Sequence, residues 1–157
     1  IVVVDRNPDK DAMCRSFGAT DVVITDDLTD AVSAIREATD GRGVDYVFDA
    51  VGLAAIESVL LDCLAPAGTA VLVGIPSTGT AFEVDAAEFI RREKVLTGSI
   101  FGSADTTRDF VDYAQRYLDG RLPIDRLVTE RYRLDEINEA CDAMLTGGVG
   151  RGVIVFD

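Results

Sequence analysis

Asp5 closes an unbroken apolar run, Ile1-Val2-Val3-Val4, and Arg6 follows it directly, with Lys10 one helical turn further on. A strand buried on both faces reads as a continuous apolar run rather than an alternating one, so this run is expected to be a parallel strand inside an α/β sheet. A carboxylate at the carboxyl edge of such a strand can accept hydrogen bonds from the hydroxyls of a ribose, the chemistry used where dinucleotides bind open sheets. A glycine-rich turn normally precedes that strand by about 20 residues. The sequence begins too late to contain one and has no initiator Met, so it reads as part of a longer chain. A second candidate stretch is Ala50-Val51-Gly52, which follows the run Val44 to Asp49 and whose small residues would let a ligand approach the backbone.

Positioning those residues requires elements, and strand-length apolar runs alternate with helical patterns along the chain, the signature of βαβ units and a parallel sheet. Asn7 is a plausible helix cap and Pro8 a first helical residue, with Gly18 ending that helix. Asp21 to Ile24 reads as a strand. A helix starts at Thr29 or Asp30, turns Ala31, Val32, Ala34, Ile35 and Ala38 inward, and is broken by Asp40-Gly41-Arg42-Gly43. Val44 to Asp49 is a strand, Ile56 to Leu64 a helix, Pro66-Ala67-Gly68 a turn, and Thr69 to Gly74 a buried strand. A short helix over Asp85 to Arg92 and a strand from Val95 to Phe101 complete what reads as one half of a doubly wound sheet. Beyond Gly102, Phe110, Val111, Ala114, Tyr117 and Leu118 line one face of a helix closed by Gly120. Leu127 to Leu134 reads as extended, Asp135 as the cap of a helix ended by Gly147-Gly148, and Val153 to Phe156 as a last strand. Three elements do not make an independent domain, so residues 102–157 are expected to pack on sequence N-terminal to Ile1.

The 157 residues are 48% hydrophobic with 14 glycines, a composition expected of a soluble, intracellular, cytoplasmic globular domain. No apolar stretch approaches the roughly 18 residues of a membrane span. A net charge of −13 argues against nucleic acid and acidic membranes as partners, since both recruit clustered Lys and Arg. The scattered acids read as a solubilising surface. Cys14, Cys63 and Cys141 are far apart and odd in number, which suits reduced thiols on apolar helix faces. With no histidine in the chain, a zinc site built from this segment alone is not expected.

Six motifs stand in one register over the whole length: Ile1-Val2-Val3-Val4-Asp5, Phe17-Gly18-Ala19-Thr20-Asp21, Gly43 to Asp49 with Gly52, Val73-Gly74-Ile75-Pro76, Gly98-Ser99-Ile100-Phe101-Gly102 and Gly150-Arg151-Gly152-Val153-Ile154. In that order they resemble the C-terminal portion of a medium-chain, zinc-dependent alcohol dehydrogenase, with some likeness to the class III, thiol-dependent formaldehyde-oxidising members. The resemblance implies a partial Rossmann-type doubly wound parallel sheet lacking its first strand and glycine-rich turn, over residues 1–101. Residues 102–157 would form a segment returning to the catalytic domain. It implies NAD as coenzyme, with Asp5 holding the ribose and repelling the 2′-phosphate of NADP. Arg6 leaves NADP open, because an arginine after the strand is how NADP enzymes meet that phosphate. Lys10 would reach the same ribose. Ala50 and Val51 would lie beside the coenzyme, Val73, Gly74 and Ile75 would flank the nicotinamide, and Ser99, Ile100 and Phe101 would meet its carboxamide. Arg151 would close on the pyrophosphate, a role suited to a planar multi-donor cation.

The reaction implied is hydride transfer from an alcohol, or a hydroxymethyl-thiol adduct, to NAD, with a catalytic zinc polarising the alcohol oxygen. The family's zinc ligands and proton relay come from sequence before Ile1, so no catalytic residue is assigned and the 157 residues alone are expected to be inactive. A homodimer or homotetramer is expected, paired through Val95 to Phe101 and the preceding Phe82 to Asp85. Three alternatives bring different chemistry: a zinc-free quinone or enoyl reductase using NADPH, a non-catalytic nucleotide-sensing module, and a nucleoside-dependent methyltransferase. Asp5 counts against the first, and the closing strand-helix-strand with Arg151 against the last.

Overall fold

The computed structural model describes residues 1–148 and 150–156. Its strands are β1 (Val2–Asp5), β2 (Asp21–Ile24), β3 (Val44–Asp49), β4 (Leu64–Leu72), β5 (Val95–Gly98), β6 (Val128–Tyr132) and β7 (Arg151–Ile154). Its α-helices are α1 (Asp11–Ser16), α2 (Leu28–Glu37), α3 (Ala54–Cys63), α4 (Ala86–Arg91), α5 (Thr106–Leu118) and α6 (Ile137–Leu145). The strands form three sheets among the described residues, ordered β1-β2, β3-β4-β5 and β6-β7, and every pairing is parallel. The α/β class with parallel pairing is therefore as expected.

The chain divides into two compact units, one comprising Ile1–Arg6 with Cys14–Ala104, the other Asn7–Met13 with the chain from Asp105 onward. In the first, Leu60, Leu61 and Leu64 pack on Ala70 of the central strand, with Val44, Val47, Ile56, Leu72, Phe89 and Leu96 around them. The core thus lies between one face of β3-β4-β5 and the helices α3 and α4. The other face of β3 presents Tyr46 and Phe48 to solvent. The strands are covered less fully than their apolar runs predict, and β1 is only half-buried, with Val4 exposed. Within the described residues β1 pairs on one side only, with β2, so its apolar side chains lack a second neighbour.

Several boundaries differ from expectation for local reasons. Helix α2 starts earlier than Thr29, because Asp27 is the cap and its Oδ1 accepts from the N–H groups of Thr29 (2.7 Å) and Asp30 (3.3 Å). Ala31 and Ile35 are buried as expected, whereas Ala38 is the exposed C-cap. Helix α3 starts two residues before Ile56 and leads straight into β4. Its terminal carbonyls would otherwise be orphaned. Lys94 Nζ donates to the Leu61 carbonyl (2.8 Å) and an Arg36 nitrogen to the Asp62 carbonyl (2.7 Å). Cations at a helix C-terminus also complement its dipole. The expected Pro66-Ala67-Gly68 turn lies inside β4 as an excursion: pairing jumps from Val44↔Leu64 to Tyr46↔Thr69, and Ala67 takes φ 59°.

Strand β5 ends at Gly98 rather than Phe101, because its partner β4 ends at Leu72, and the chain then turns through Phe101, Gly102 and Ser103 with left-handed φ of 51°, 68° and 54°. In the second unit Asn7 caps a 3₁₀ turn, Pro8–Lys10, accepting from Asp9 N–H (2.9 Å), and its Nδ2 donates to the Gly147 carbonyl (3.0 Å). The extended segment is Val128–Tyr132, flanked by 3₁₀ turns Ile124–Leu127 and Leu134–Glu136. Asp135 does not cap α6: its carboxylate binds the Arg133 guanidinium (3.0 and 3.3 Å), while Glu136 accepts from the Arg133 N–H (2.7 Å). The last strand begins at Arg151, two residues before Val153. Helix α5 buries none of its residues, so its apolar face is exposed among the described residues.

Candidate functional site

The register of the three-stranded sheet brings three expected segments together. Asp49 pairs with Leu72, and Leu72 with Gly98, so β3, β4 and β5 end on one row. Ala50-Val51-Gly52, Val73-Gly74-Ile75 and Ser99-Ile100-Phe101 leave that row side by side at the carboxyl edge, where open parallel sheets bind ligands. Val73 and Gly74 both donate their N–H groups to the Asp49 carbonyl (2.9 Å each), and Ser99 donates to that of Leu72 (2.9 Å).

The first two segments meet backbone to backbone. A Cβ on Gly74 would stand 2.2 Å from the Gly52 nitrogen, and one on Gly52 would stand 2.7 Å from the Ile75 carbonyl carbon. Neither glycine can acquire a side chain without one strand end moving away from the other. Val51, Ile75, Ile100 and Phe101 are exposed around this contact, Phe101 at 86%. A large aromatic held open in a left-handed conformation, costing about 1–2 kcal/mol, is the kind of strain that marks a functional edge. Ser99 and Ser103 join hydroxyls at 3.2 Å across the turn.

Asp49 was not among the residues expected at the site. It is 2% exposed, and its carboxylate accepts from Val51 N–H (2.8 Å) and Gly52 N–H (3.2 and 3.1 Å to its two oxygens). An Asp three residues ahead of a Gly that turns through φ 78° is an Asx-type turn signal, and that spacing could have found it.

Asp5 ends β1 in the other sheet of the same unit, half-buried, paired with Ile24 and accepting from Thr25 N–H on its carbonyl (3.1 Å). Arg6 is exposed immediately after it. Lys10 and Arg151 belong to the second unit: Lys10 closes the 3₁₀ turn after Asn7, and Arg151 opens β7 opposite Val128, with its side chain exposed.

Among the described residues no three or more His, Cys, Asp or Glu side chains are grouped to hold a metal ion. All three cysteines are free, but only Cys63 is buried, Cys14 being half-buried and Cys141 exposed. The described residues thus group no set of side chains that fits zinc. Among the described residues no helix is long and apolar enough to cross a membrane.

Residues 1–116 match the family described as zinc-binding dehydrogenase. The chain belongs to the zinc-binding dehydrogenase family. It is 33% identical over 156 residues to a geraniol dehydrogenase of Carpoglyphus lactis, covering 99% of this chain and 41% of that protein. An alcohol dehydrogenase class-3 of Myxine glutinosa is 32% identical over 156 residues, covering 98% and 41%. Among solved structures, benzyl alcohol dehydrogenase from Acinetobacter calcoaceticus superposes with a TM-score of 0.91 at 29% identity, covering 100% of this chain and 42% of that one. This zinc-binding dehydrogenase chain therefore spans about 40% of the length of these relatives, and its parallel α/β fold matches the Rossmann-like coenzyme-binding domain of zinc alcohol dehydrogenases.

Proposed function

We propose that this chain is the coenzyme-binding portion of a zinc-dependent alcohol dehydrogenase that transfers hydride from an alcohol, or from a hydroxymethyl-thiol adduct, to NAD. The observation that carries the reading is the row of three strand ends, with bare backbone at Gly52 and Gly74. That edge fits a flat ring lying against main chain. Bound there, a nicotinamide supplies a hydride acceptor. Val73 to Ile75 and Ser99 to Phe101 orient the ring through their backbone groups, and Ala50 and Val51 border it. Asp5 accepts from the adenosine ribose and disfavours a 2′-phosphate by like-charge repulsion.

Relatives named for geraniol and benzyl alcohol, together with an S-(hydroxymethyl)glutathione dehydrogenase of Komagataella pastoris at 32% identity, support the substrate class. The described residues group no ligands for zinc. Subunit pairing into a homodimer or homotetramer is proposed through Val95 to Phe101 and the preceding Phe82 to Asp85, β5 being bonded among the described residues to β4 alone. We place the enzyme in the cytoplasm.

The experiment is a comparison of rates with NAD and NADP in the complete polypeptide carrying this segment. Asp5→Ala is expected to erode the NAD preference by about tenfold or more, as lost charge repulsion and ribose bonds allow. An unchanged preference would overturn the assignment of Asp5. The 157 residues alone, which contain no Gly-x-Gly-x-x-Gly turn, are expected to show no turnover with added zinc and NAD.

A further inference from the structure

One buried residue holds both of the segments that face each other at the sheet edge. The Asp49 carboxylate takes the N–H groups of Val51 and Gly52, and its main-chain carbonyl takes those of Val73 and Gly74. Its carboxylate accepts from amides of the loop that follows β3, whereas the core around Leu60, Leu61, Leu64 and Ala70 is apolar. Burying an acid is costly unless it is hydrogen-bonded, and here the compensation comes from loop amides. The contact between Gly52 and Gly74 leaves no slack, so displacing one loop displaces the other.

We propose that Asp49 is a positioning residue for the coenzyme: it holds the Val51–Gly52 and Val73–Gly74 backbones in the shape that the nicotinamide half meets, without touching the coenzyme itself. The inference rests on the coenzyme-binding function proposed above. Prearranged loops forgo the ordering cost of binding, so the residue acts on affinity at one end of the ligand. The adenosine end, held at Asp5 on the other sheet of the unit, is independent of Asp49.

The test uses the complete polypeptide and two probes, NADH and ADP. Asp49→Asn keeps one acceptor oxygen and replaces the other with a donor facing Gly52 N–H; Asp49→Ala removes both. NADH affinity is expected to fall about tenfold in Asp49→Asn and further in Asp49→Ala, with ADP affinity within about twofold of the wild type. A purely structural role would weaken both probes together, and that outcome overturns the inference, as does unchanged NADH affinity. Hydrogen exchange on the coenzyme-free wild type tests it without any variant. The amides of Val51, Gly52, Val73 and Gly74 are expected to be protected before coenzyme is added, and free exchange there would overturn it. Wild type that binds neither probe would bring down the coenzyme reading, and this inference with it. Wild-type binding with an unaltered NADH-to-ADP ratio in both variants removes this inference alone.

Discussion

Cys63 and Cys141 carry the same thiol and meet opposite fates. Burial pushes the Cys63 thiol up from 9.0 to about 11, reinforced by the Asp62 carboxylate and opposed by Arg36 and Lys94. A thiol with a raised folded-state pKa contributes stability that is complete below the unfolded value and is lost as pH rises toward the folded one. Alkaline destabilisation is therefore expected between about pH 9 and 11, amounting to roughly 2–3 kcal/mol if Cys63 acts alone. At pH 8 a thiol reagent should modify the exposed Cys141 first and leave Cys63 untouched until the chain unfolds. Equal native rates for both thiols would contradict the burial of Cys63. At the same scale, Asp49 shows how a carboxylate and a carbonyl on one residue can tie two loops. Its position in the sequence, at the end of an apolar run, announced a strand end but not that double role.

Neighbouring helices are stabilised by different means. Helix α2 has a side-chain cap in Asp27 and two buried residues, Ala31 and Ile35. Helix α3 has no capping side chain at Leu53, yet it buries Glu57, Leu60, Leu61 and Cys63 and has its end carbonyls bound by Lys94 and Arg36. Packing outweighs capping wherever large apolar side chains leave water, at about 1.5–3 kcal/mol each against about 1 for a cap. Asp27→Ala should accordingly cost about 1 kcal/mol, read from the denaturation midpoint at constant slope. A loss below about 0.3 kcal/mol would mean that the cap observed here adds nothing to α2. Strand β5 makes a complementary point: the apolar run continues past Gly98, but pairing stops there because β4 ends at Leu72.

For the whole chain, 28 acidic residues face 15 basic ones. Only two of the basic residues are lysines, Lys10 and Lys94, and Lys94 is buried against α3. Among the described residues, ion pairs such as Arg116 with Asp112 and Arg121 with Asp119 are local and exposed, and pairs of that kind contribute little. Self-repulsion therefore opposes compaction, and salt should relieve it. Raising KCl from 0.05 to 1 M is expected to lift the melting temperature of the chain by at least about 3 °C. A flat or falling response would show that the excess of acids carries no net repulsion in the folded state.

The parallel α/β class, most of the elements and the segments of the candidate site were legible because apolar period and turn residues are local properties. Ile1 to Asp5, Val44 to Asp49 and Val73 to Ile75 each announce a strand end within a few residues. Other features depended on partners distant in sequence. The excursion of Pro66–Gly68 follows from the register with β3, and the direct passage from α3 to β4 is met by Lys94, 33 residues beyond the carbonyl it binds. The alignment of Asp49, Leu72 and Gly98 on one row, and the clash that forbids a side chain between Gly52 and Gly74, exist only once the strands pair. Local patterning determined which residues form strands and turns, because covalent geometry and side-chain polarity act over a few residues. The tertiary structure alone decided which strand ends lie together, because hydrogen-bond register and steric contact act between segments that sequence order keeps apart.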